Sequence, residues 1–77
     1  MAALNVIPVG ILRQYVGGQE ALSQEDWAGH AVRELIEALG IPSAVVGAVL
    51  VNGTLVQKDH VLQGGETVKL IPLIGGG

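Results

Sequence analysis

Ala44-Val45-Val46-Gly47-Ala48-Val49-Leu50-Val51, followed by Asn52-Gly53 and then by Leu55-Val56, is the stretch on which the fold turns. Its apolar, β-branched character predicts a strand over Ala44 to Val51. Asn52-Gly53 then predicts a tight hairpin, because both residues tolerate positive φ, and Leu55-Val56 returns briefly. A period of two puts Val45, Val49 and Val51 on one face and Val46, Ala48 and Leu50 on the other. Both faces of this strand are therefore apolar.

Upstream lies the one good helix pattern, His30 to Leu39. Val32, Leu35, Ile36 and Leu39 fall at i, i+3, i+4 and i+7 and make one apolar stripe, with Arg33 and Glu37 on the opposite side. Gly40 is placed to stop the helix and Pro42 follows it. The start is weakly marked, since Gly29, His30 and Ala31 offer no capping oxygen. Further back, Leu4 to Val9 predicts a first strand that ends, bulges or lies at an edge at Pro8, which cannot donate to a ladder. Ile11 to Val16 has the spacing of a short helical turn stopped by Gly17-Gly18, and a second strand fits weakly between Gln19 and Asp26. Downstream, Lys58 to Glu66 is polar and turn-rich. Thr67 to Leu73 predicts the last strand, with Val68 and Leu70 on one face and Lys69, Ile71 and Leu73 on the other.

The order is strand, strand, helix, strand, short strand, strand. One helix of about ten residues covers one face of such a sheet. The other face, with Ala48, Leu50, Ile71 and Leu73, is too apolar for idle surface. Coverage by Ile11 to Val16, self-association and a partner protein are the three ways to satisfy it.

Composition narrows the function. The chain has 77 residues, 49% hydrophobic and 14% charged, against a usual charged share of ~25%. A chain of this size buries only roughly 60% of its unfolded surface, so most of its apolar residues are needed inside. With no cysteine, a disulfide framework, a zinc knuckle and a thiol nucleophile are excluded. A net charge of −3 with four cations argues against tracking the phosphates of a nucleic acid. Ile41 to Val51 is too short to span a membrane, and the first residues have no basic n-region of a secretory signal, so a cytoplasmic location is expected. Tyr15 and Trp27 are the only aromatics, too few to build a stacking pocket for a cofactor.

Val51-Asn52-Gly53, then Asp59, Leu62, Gly65-Glu66, Val68, Leu70, Pro72 and the terminal Gly-Gly resemble the second half of the ubiquitin-like sulfur carriers of the MoaD and ThiS types. Leu12-Arg13-Gln14 with Gly17 resembles the segment after the first strand of the MoaD type, and Val32-Arg33-Glu34-Leu35 that family's helix opening. Ala31 stands where the family usually has a threonine that can cap the helix. The resemblance implies an α+β, β-grasp (ubiquitin-like) fold: a mixed sheet of four to five strands packed on one main helix. It implies one domain over residues 1–74 and a flexible glycine tail at 75–77.

It also implies a chemistry for the tail. A bare carboxylate is a poor electrophile, so an ATP-using partner of the ubiquitin-activating type adenylates Gly77, and sulfur then replaces AMP to give a thiocarboxylate. The protein would be a carrier and not an enzyme, holding no cofactor itself, with ATP consumed by the partner. Gly76 and Gly75 have no Cβ to obstruct passage through a narrow channel. Ile74 to Gly77 reach roughly 14 Å when extended, at ~3.5 Å per residue. The expected partners are the adenylating enzyme, a sulfur donor or sulfurtransferase, and a large synthase subunit or equivalent acceptor. Leu50, Ile71, Leu73 and Arg13 are the expected contact residues. A molybdopterin-type route is the first expectation. A thiamine-type carrier, a ubiquitin-like modifier joined to target lysines through Gly77, and a plain interaction module with an incidental tail are the alternatives.

Other constellations carry less. Asp59-His60 lacks further metal ligands and reads as solvated loop; Ser23, Asp26 and His30 are close in sequence, which is not triad geometry. Gly64-Gly65 lacks the lysine and hydroxyl of a phosphate loop and reads as a turn, and Trp27 reads as a lid on the core.

Overall fold

The structure is a computed structural model, and it describes residues 2–73. Five strands, β1 (Leu4–Pro8), β2 (Leu22–Gln24), β3 (Val46–Val51), β4 (Thr54–Val56) and β5 (Thr67–Pro72), form one sheet in the order β2-β1-β5-β3-β4. The central pair β1 and β5 is parallel; β2 with β1, β3 with β5 and β3 with β4 are antiparallel. The helix α1 (Val32–Ala38) covers one face. Val32, Leu35 and Ile36 from α1 join Leu4, Val6, Val49, Val51, Val68 and Leu70 from the sheet in one buried cluster. This is the mixed-sheet β-grasp arrangement that the resemblance implies.

β1 ends at Pro8 as expected, and Val9 continues the alignment by donating its N–H to the Leu70 carbonyl at 2.9 Å. The segment Gly10–Val16 is a 3₁₀ helix that ends at Gly17 in the left-handed region (φ 67°). Its Leu12 is fully buried with the core, and Tyr15 and Val16 pack against the same cluster. The segment therefore contributes to the core and leaves the other sheet face uncovered. Trp27 packs on the core edge, as a lid does. Asn52 (φ 50°) and Gly53 (φ 83°) make the expected tight turn between β3 and β4.

Three expectations need correction. α1 begins at Val32, two residues later than His30, and ends at Ala38, with Leu39 as a half-buried C-cap. Its first N–H groups are satisfied by a loop: Val32 donates to the His60 carbonyl at 2.9 Å and Arg33 to the Lys58 carbonyl at 2.8 Å. The same loop alters the Asp59-His60 reading. Asp59 is exposed, but His60 is turned partly inward and its Nε2 is buried without a partner among the described residues. Finally, β3 starts at Val46, after a 3₁₀ turn over Ser43–Val45, and carries a bulge. Val46 pairs with Pro72 while Ala48 pairs with Ile71, so Gly47 is the extra residue. A bulge reverses the alternation. Val46 thereby joins Val49 and Val51 in the core instead of sharing a face with Ala48 and Leu50.

Candidate functional site

Two features meet at one side of the molecule: an open apolar sheet face and the exit of the last strand. The face follows from register. Lys69 at the centre of β5 aligns with Ile7 of β1 and Leu50 of β3, and Leu50 aligns with Leu55 of β4. Ile71 and Ala48 form the next row toward the end of β5. Ile7, Ala48, Leu50 and Ile71 are half-buried by their neighbours, whereas Leu55 and Leu73 are 68% and 59% exposed. Beside the short β4 this face runs into a shallow groove bordered by Ala48, Leu55, Val56, Lys58, Asp59 and Arg33.

The exit is built around Gly47. A methyl group there would sit 2.8 Å from the Leu73 Cα, 3.1 Å from its nitrogen and 3.2 Å from the Pro72 carbonyl oxygen. Backbone atoms cannot give way as a flexible side chain can, so only glycine permits this crossing. Leu73 is then held by its N–H, which donates to the Val45 carbonyl at 2.9 Å. The bulge and the glycine together set how Pro72 and Leu73 lie against β3.

The loop that precedes β5 is fixed just as locally. The Glu66 carboxylate is buried and accepts from the Gln63 and Gly64 N–H groups at 2.8 and 3.0 Å. It holds the Gly64-Gly65 turn, whose two glycines both have positive φ. Asn52 ties the loop to the hairpin: its side-chain oxygen accepts from the Thr67 N–H at 2.9 Å. At the helix, the Glu34 carboxylate accepts from the Ala31 N–H at 2.8 Å and contacts His30 Nδ1 at 3.2 Å. Those two bonds hold its carboxyl below the ordinary carboxylate value, the Ala31 bond being the larger cause.

Of the expected contact residues, Leu50, Ile71 and Leu73 lie together on or beside the open face. Arg13 is exposed on the 3₁₀ segment and belongs to none of the sheet rows. Gly75, Gly76 and Gly77, with the proposed boundary after residue 74, lie outside the described residues. Among the described residues there is no cluster of metal-ligating side chains. The expected contact residues did not include Ile7, Leu55 or Gly47. Ile7 and Leu55 could have been found from strand alternation, but Gly47 meets Leu73 only once the sheet is assembled.

The comparisons agree with this architecture. The family model described as Mut7-C ubiquitin matches residues 12–75. A search of curated protein sequences found no match. Among solved structures, a Pyrococcus furiosus protein assigned as molybdopterin converting factor subunit 1 aligns at TM-score 0.73 and 25% identity, over 96% of this chain and 100% of its own. Small archaeal modifier protein 1 of Haloferax volcanii aligns at TM-score 0.75 and 19% identity, covering 96% of this chain and 100% of its own. In Helicobacter pylori, a complex of subunits 1 and 2 of molybdopterin-converting factor contains a chain that aligns at TM-score 0.61 and 20% identity, over 97% of this chain and 99% of that one. No helix among the described residues is long and apolar enough to cross a membrane.

Proposed function

The chain belongs to the Mut7-C ubiquitin family, and from that premise we propose that it is a sulfur carrier whose working end is Gly77. Its carboxylate attacks the α-phosphate of ATP in a ubiquitin-activating-type enzyme and pyrophosphate leaves. Hydrosulfide supplied by the sulfur donor then attacks the acyl carbonyl, the C–S bond forms, AMP departs and the thiocarboxylate remains. The thiocarboxylate passes its sulfur to an acceptor enzyme in cofactor biosynthesis, a molybdopterin-type route first. The carrier supplies no catalytic side chain; those groups belong to its partners.

The observation that carries this reading is the exit of β5. The strand is central in the sheet, crosses Gly47 and leaves beside an open apolar face, with Ile74-Gly75-Gly76-Gly77 following in sequence. A partner that covers Leu50, Ile71 and Leu73, with Arg13 at its margin, has the chain end within reach. The likeness to the Pyrococcus protein and the subunit complex from Helicobacter support a large-subunit partner of the molybdopterin kind. A cytoplasmic location goes with this chemistry.

Deletion of Gly77 tests it, with ATP–pyrophosphate exchange by the adenylating enzyme of the source organism as the readout. The shortened protein is expected to melt with the parent and to support no exchange. Exchange at the parent's rate would overturn the reading. The second reading, a protein modifier joined through Gly77, is favoured by the fold shared with small archaeal modifier protein 1.

A further inference from the structure

We propose that Lys69 meets a carboxylate on the partner that covers the open sheet face, so that this partner carries one acidic side chain within an apolar surface. The inference rests on the docking role proposed above for that face.

Lys69 sits on the central strand, between Ile7 and Leu50 in register, and is exposed. It is the one charged residue among the sheet positions of this face; the others are Asn5, Ser23, Thr67 and apolar side chains. The acidic residues lie elsewhere. Glu34 and Glu37 are on α1, across the sheet; Glu66 is buried ahead of β5; the rest are in turns and loops. Among the described residues the ion pair is His30 with Glu34, and Lys69 has no carboxylate partner.

Docking takes the Lys69 ammonium out of water. That step is unfavourable unless the covering surface supplies an opposite charge. With a carboxylate placed against it, the pair fixes orientation and penalises wrong partners. The net charge of −3 means that the molecule as a whole does not attract an acidic protein. Lys69 therefore acts at short range, setting register after the apolar surfaces meet. A second copy does not fit this requirement. Face-to-face pairing of two copies is isologous, and it would bring two lysines from central strands into one apolar layer with no carboxylate among the described strand positions of either face; Asp59 borders the groove beside β4, off the strands.

The test uses the full chain and the source organism's adenylating enzyme, with KM and kcat read from ATP–pyrophosphate exchange. Lys69→Glu is expected to raise KM about tenfold or more with kcat retained, and Lys69→Arg to stay within about twofold of the parent. Leu50→Asp, the control for the face itself, is expected to raise KM as well. If Leu50→Asp impairs exchange and Lys69→Glu does not, the carboxylate inference fails and the docking face stands. If neither changes KM, the docking role fails and takes the inference with it. Zero-length carbodiimide cross-linking of unmodified protein to the enzyme supplies a measurement free of variants. The expected link is an amide from Lys69 to an Asp or Glu of the enzyme; its absence overturns the inference. Sedimentation of the parent as a dimer that Leu50→Asp disperses would overturn it too.

Discussion

Gly47 matters because of what crosses it, not because of its own dihedral freedom. The methyl group of Gly47→Ala would fall 2.8 Å from the Leu73 Cα, and relief requires the exit of β5 to move. Overpacking of this kind costs about 1–3 kcal/mol. The variant is therefore expected to fold with a lowered melting temperature and to lose adenylation at temperatures where it is still folded. Adenylation at the parent's rate would show that the exit geometry is not used. Nothing in the local sequence marks this glycine, since Ala44 to Val51 reads as an ordinary strand and the contact is made with a strand formed much later in the chain. Asn52-Gly53 is the opposite case. Its turn chemistry is local, and the structure has both residues at positive φ.

At the scale of elements, the two ends of α1 differ in how legible they were. The C-terminal end was marked by Gly40, which has φ 76°. The N-terminal end has no capping side chain at Ala31; its donors are taken by carbonyls of Lys58 and His60 and its Ala31 N–H by Glu34. A cap supplied by a distant loop leaves no trace in the helix sequence. The bulge in β3 was hidden for a similar reason, because both faces of that strand are apolar and a change of face leaves no polar residue misplaced. The Glu34 bond makes a pH-dependent contribution. The folded carboxyl titrates below its ordinary value of 4.5, so its stabilisation is full above that pH and fades as pH falls through the lowered value. Glu34→Gln is expected to melt below the parent at neutral pH, and the gap is expected to narrow in thermal melts below about pH 4, near the ordinary Glu range. A gap that stays constant with pH would remove the carboxylate from the cap.

For the whole molecule, strand order is what turns a pattern into a site. Alternation assigned Lys69, Ile71 and Leu73 to one face, and the parallel pairing of β1 with β5 adds Ile7 to it. The packing of Leu12 into the core removes Gly10–Val16 as a cover for that face. Low charge and a 49% hydrophobic content then have a physical use: one short helix closes one face, and the surplus apolar residues lie on the other. Arg13 was chosen by resemblance alone, and the structure places it off the sheet, exposed on the 3₁₀ segment. The central claim concerns Gly77, and the intact mass of the protein isolated from its native cell tests it most directly. The expected mass is that of a chain ending at Gly77 in which a fraction carries one sulfur in place of one oxygen. A ladder of heavier conjugates with no sulfur-bearing form, or a chain that continues past Gly77, would contradict it.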